Sequence, residues 1–105
     1  ITSEIKNVIR INSVKNGILI LSILHTSCSL LVQENADKSV QEDIRHFLEE
    51  IAPERNYIHN SEGPDDMPAH LKTLLTQTHL SLSIMNGKLI LGNWQGIFIS
   101  CHWEM

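Results

Sequence analysis

Apolar positions recur along this chain with two periods, and each change of period marks an element. Over residues 2–10, Ile5, Val8 and Ile9 share one helical face, with Thr2 or Ser3 in position to cap the start. Residues 12–17 are polar and turn-like. Residues 17–25 are nearly continuous in β-branched and Leu side chains, which predicts a strand buried on both faces. A second strand, about residues 29–33, follows the corner His25-Thr26-Ser27.

Helical spacing returns with Val40, Ile44, Phe47, Leu48 and Ile51. Ser39 followed by Glu42 forms a capping box, Asp37 is the alternative cap, and Pro53 ends the run. Residues 54–67 are irregular. A further helix is expected to begin at Pro68, with Asp66 or Met67 before it and Leu71, Leu74 and Leu75 as its stripe. Leu80, Leu82 and Ile84 then alternate with Ser81 and Ser83, Asn86-Gly87 predicts a two-residue hairpin turn, and residues 88–91 return. Trp94-Gln95, between Gly92 and Gly96, is expected to pack a turn before a last strand at residues 97–101. The order αββααβββ reads as an α+β fold in a single domain, residues 1–105, without internal repeats.

Composition narrows the partners. The 105 residues suit one core, and 42% apolar residues can fill it. A net charge of −4 argues against nucleic acid, which needs a basic face. The longest apolar run, residues 18–24, is interrupted by Ser22 and too short to span a bilayer, so no membrane partner is expected. With no basic-then-apolar leader and two cysteines, a cytoplasmic location is expected. Cys28 and Cys101 could form one bridge, a reduced pair being the favoured reading.

Polar residues gather at His25-Thr26-Ser27, at Glu34-Asn35-Ala36-Asp37, and from His59 to His70. Strand ends and loops of this kind commonly carry function. Three histidines from separate segments, with nearby carboxylates, could hold zinc or another transition metal. The spacing is weakly specific, since His59 and His70 lie eleven apart and not at i,i+4. The competing reading is a hydrogen-bonded His25, exposed His59 and His70, and Asp65 and Asp66 that only cap a helix. His46 and His79 read as solvated. A helix start beside Ser61 and Gly63 also suits a phosphate or carboxylate, and Thr26 and Ser27 could add donors. No Gly-rich phosphate loop and no G-x-S-x-G elbow is present.

Taken in order, His25-Thr26-Ser27, Glu34-Asn35-Ala36-Asp37, His59, Glu62-Gly63-Pro64-Asp65-Asp66-Met67-Pro68-Ala69-His70 and Leu91-Gly92-Asn93-Trp94-Gln95-Gly96-Ile97 resemble the YjbQ family, the secondary thiamine-phosphate synthases. The resemblance implies a mixed, barrel-like β-sheet with two to three helices. It implies a homotrimer with sites near subunit boundaries. It implies a divalent metal, zinc being the expected one, held by His25, His59 and His70. The implied activity is a weak transfer joining a pyrimidine pyrophosphate to a thiazole phosphate; the physiological phosphorylated substrate is open. Within that frame Glu34 is a candidate general base. Asp65, or Glu62, would orient a ligand histidine or replace one, and Thr26, Ser27 and Asn35 would position substrate. The alternative is a trimer that binds metal or anion without turnover. The resemblance also implies that family members usually carry a further β segment before the position of Ile1. After the Trp-Gln-Gly strand they usually continue with an acidic residue, a basic residue and a closing strand; here Cys101 and Trp103 occupy the acidic and basic positions.

Overall fold

The elements follow the expected order: α1 (Thr2–Ile11), β1 (Gly17–Ser22), β2 (Cys28–Glu34), α2 (Lys38–Ile51), α3 (Asp66–Leu75), β3 (His79–Met85), β4 (Lys88–Leu89) and β5 (Gln95–Cys101). The computed structural model describes residues 1–102, so Trp103 lies outside the described residues. The fold is α+β. All ladders between these strands are antiparallel, in a three-stranded sheet of order β1-β3-β4 and a two-stranded sheet β2-β5. The expectation of a mixed sheet is corrected, since no parallel pair occurs among the described residues; no closed barrel is found among them. The two sheets are stitched where Leu30 bridges Gln77, while the Thr78 carbonyl, accepting from the Ile23 amide, extends the β1–β3 pairing.

The reading of β1 also changes. Leu19 and Leu21 pair with Leu82 and Leu80 and pack on the core, whereas Ile18 and Ile20 are exposed. β1 is an edge strand, and no described element covers its outer face, so it alternates instead of burying both sides. Helix α2 starts where a side chain meets its free amides. Asp37, not Ser39, caps α2: its Oδ1 accepts from the Ser39 amide at 2.9 Å, and the Ser39 hydroxyl donates to the same oxygen at 2.7 Å. Those bonds hold the Asp37 carboxyl below its usual range. α3 begins at Asp66, ahead of Pro68, because first-turn amides lack helical partners and proline loses nothing there.

The core forms where α1 lays Ile5 and Ile9 against Leu30, Leu80, Ile84, Leu89 and Ile97. Thr2 does not cap α1; its Oγ1 accepts from the Ile97 amide at 2.9 Å and ties the helix to β5. Asn86 and Gly87, both at positive φ, form the predicted tight turn between β3 and β4. Among the described residues, no helix is long and apolar enough to cross a membrane.

Candidate functional site

The corner before β2, the loop before α3 and the first turns of α3 meet on one side of the molecule. Asp66 opens α3, where the partial positive charge of the helix start favours a carboxylate. Its side chain is 3% exposed. Asp66 Oδ2 lies 2.6 Å from His59 Nε2, delivered by the loop, and 3.2 Å from His70 Nε2, one helical turn later. The two imidazole rings are 5.3 Å apart between centroids.

Proton accounting makes this arrangement informative. His70 Nδ1 is 3.1 Å from the Thr26 carbonyl, which can only accept, so Nδ1 carries a hydrogen. A neutral His70 therefore turns a lone pair on Nε2 towards an anionic Asp66 oxygen. That contact is favourable with a proton between the two atoms, on His70 or on Asp66, or with a metal ion there. One donor atom from each of His59, Asp66 and His70 lies within 4.8 Å of the others. Zinc–ligand bonds of about 2.0–2.2 Å put tetrahedral ligands roughly 3.3 Å apart, so small ring movements would suffice. Two imidazole nitrogens and a carboxylate oxygen are a donor set that zinc accepts.

His25 is not one of these donors. Its Nδ1 accepts from the Ser27 amide at 3.1 Å and lies 2.9 Å from the Ser27 hydroxyl. In the neutral ring with this bond made, Nε2 carries the hydrogen. Ser27 is fully buried. His25 and Thr26 line an open groove of about 850 Å³ together with Thr76, Thr78, Ser81 and Gln95. Gln95 Oε1 also accepts from the Gly92 amide at 2.7 Å, which closes the turn as expected, while Trp94 stays exposed.

The other expected residues stand apart. Glu34 and Asn35 are at the far end of β2, roughly 20 Å along the strand from the His25 corner. There Glu34 Oε2 accepts from the Asp37 amide at 3.1 Å. Asp65 is the residue before α3 and lines a second cavity with Lys72 and His102. Glu62 is exposed. His46 and His79 are exposed, as expected.

In the sequence, Asp66 stands out as a helix cap. Its signal was present, an acid four residues before His70 on one helix. A second buried polar group had no sequence signal: Ser29 Oγ bonds Thr76 Oγ1 and lies 2.8 Å from His102 Nε2, with Lys72 also buried. Burial, and secondarily the charge of Lys72, lowers the His102 pKa.

Comparison with known proteins supplies the lineage. Residues 1–104 match the family described as UPF0047 protein YjbQ-like. The UPF0047 protein sll1880 of Synechocystis sp. is 45% identical over 104 residues, covering 97% of this chain and 69% of that protein. The UPF0047 protein YjbQ of Escherichia coli O157:H7 is 40% identical over 104 residues, covering 97% and 75%. A crystal structure of an uncharacterized YjbQ/UPF0047 protein from Clostridium acetobutylicum superposes with a TM-score of 0.88 at 32% identity, covering 96% of this chain and 77% of that one. Sequence and fold agree along almost the whole chain, which belongs to the YjbQ-like UPF0047 family.

Proposed function

We propose that this protein is a metal-dependent enzyme acting on a phosphorylated small molecule. On this reading its thiamine-phosphate-forming transfer, which joins a pyrimidine pyrophosphate to a thiazole phosphate, is a secondary reaction. The observation that carries the proposal is the meeting of His59, Asp66 and His70, with the His70 lone pair directed by the Thr26 carbonyl. These three residues would hold the metal, Asp66 taking the ligand place the resemblance gave to His25. A bound divalent ion, with zinc the choice that the donors favour, supplies Lewis acidity for a departing pyrophosphate oxygen.

His25 then serves the substrate. Its ring is held by Ser27 and forms part of the groove wall, where an imidazole suits a phosphoryl oxygen. The Thr26 hydroxyl belongs to the same groove wall. Ser27, being buried, acts by orienting His25.

Glu34 and Asn35 enter the site in this proposal from a neighbouring copy, in a homotrimer. Two observations support a covered surface. The radius of gyration is 16.0 Å, against about 13 Å for a compact chain of this length. Ile18, Ile20, Leu24 and Leu74 are exposed on the β1 edge, the corner beyond it and α3. A barrel-like closure of the two sheets belongs, on this view, to the assembled protein.

The test is product formation from the two thiamine precursors by wild type, His70→Ala and Glu34→Gln. Wild-type turnover that falls at least about 100-fold in His70→Ala supports the assignment. Equal turnover removes His70 from it. Mixing the two variants as separate subunits should restore part of the activity if Glu34 acts across a boundary. A second reading, a trimer that binds metal without turnover, is favoured by the place of Glu34 at the far end of β2, roughly 20 Å along the strand from the corner that His70 bonds. Metal binding without product would support it.

A further inference from the structure

We infer that Cys28 and Cys101 form an oxidant-sensitive dithiol that closes to a disulfide within one chain. The two cysteines face each other directly in the β2–β5 ladder. The neighbouring pair, Ser27 and His102, is joined by a bond from the His102 amide to the Ser27 carbonyl at 3.0 Å. Antiparallel ladders alternate, so Cys28 and Cys101 occupy a non-hydrogen-bonded pair, with Cα atoms about 4.5 Å apart and side chains on the same face. A disulfide accepts Cα separations of about 4.4–6.8 Å. The Cys28 thiol donates to Cys101 Sγ at 2.8 Å, so the sulfurs need to close by less than about 1 Å to reach bonding distance.

Exposure divides the labour. Cys101 is exposed and Cys28 is buried. The oxidant proposed is a hydroperoxide. The deprotonated Cys101 sulfur attacks a peroxide oxygen, the O–O bond breaks, and the leaving oxygen takes a proton. Cys101 is then a sulfenic acid. Cys28 sulfur attacks that sulfur, the S–S bond forms, the S–O bond breaks, and the departing oxygen leaves as water with the Cys28 proton. With hydrogen peroxide the two thiols give up two hydrogens and two electrons, and two waters form. The new bond would fix the end of β2 next to Ser27, which orients His25, and Thr26, whose carbonyl accepts from His70.

The test uses the full folded chain, treated with graded hydrogen peroxide and then alkylated. A non-reducing peptide map should join the Cys28 and Cys101 peptides within monomeric chains. Both thiols should be lost to alkylation together and recovered with dithiothreitol. In Cys28→Ala, Cys101 should instead progress to sulfinic acid several-fold faster than in wild type. Wild-type protein that keeps both thiols alkylatable, cross-links only between chains, or overoxidises Cys101 as fast as the variant overturns the inference. The wild-type map needs no variant to fold.

Discussion

His70 reaches across 44 positions of sequence to bond the Thr26 backbone carbonyl at 3.1 Å, and this bond decides which nitrogen faces Asp66. It ties the α3 start to the corner ahead of β2, and so joins the cluster to the His25 groove wall. No side-chain substitution at Thr26 removes that carbonyl, and the coupling is tested through its neighbours.

Ser27→Ala removes the hydroxyl beside His25 Nδ1 while leaving the Ser27 amide bond. Loss of one such bond is worth about 1 kcal/mol, or roughly a 5-fold change in an equilibrium. The expected outcome is a KM for the phosphorylated substrate raised by about that factor, with metal content unchanged. Steady-state kinetics beside elemental analysis checks it, and loss of metal in this variant would mean that His25 holds the ion.

Ile97 is 1% exposed at the junction of α1 with β5. Ile97→Ala leaves a cavity that neither element can collapse to fill. Denaturant unfolding should show a loss of about 2–5 kcal/mol. A change below about 1 kcal/mol would place the core elsewhere.

His102 gives a pH signature. Its folded pKa is lowered, first by burial and then by Lys72, from an ordinary value of 6.5. The unfolded chain therefore binds the proton more readily. The contribution of a neutral His102 to stability is complete above about pH 6.5 and is lost as pH falls towards the folded pKa. His102→Gln can keep a bond to Ser29 and does not titrate. Thermal melts between about pH 7.5 and about pH 5 should fall more steeply for wild type than for the variant. Parallel curves would contradict the assignment.

Gly87 holds φ +74 in the turn between β3 and β4, and its amide donates to the Lys15 carbonyl at 2.8 Å. A Cβ there would meet only ordinary contact with the Val14 carbonyl, so the cost of Gly87→Ala is conformational, about 1 kcal/mol. Chemical denaturation measures it directly. An unchanged midpoint would mean that the turn tolerates alanine by shifting type.

Much of this fold can be read from local patterns because local physics sets them. The Asn86-Gly87 turn, the α2 stripe ended by Pro53 and the alternation in β3 each reflect one residue type in one backbone state. What escaped depends on distant partners. Residues 17–25 look buried on both faces by composition, yet β1 lies at an edge and exposes Ile18 and Ile20. Candidate chemistry divides the same way. His59 and His70 are visible as residue types, whereas Asp66 looks like a cap in the sequence because its other contact needs His59 from the loop. Glu34 was attractive as a strand-end acid, and only the length of β2 reveals its distance from the cluster.

The central claim is that His59, Asp66 and His70 bind one divalent ion. Zinc titration of chelator-treated wild type, Asp66→Asn and His70→Ala, followed by calorimetry, tests it most directly. The account predicts one ion per chain for wild type, with affinity at least about 100-fold weaker in both variants. Wild type that binds no zinc, or variants that bind it as tightly, would contradict it.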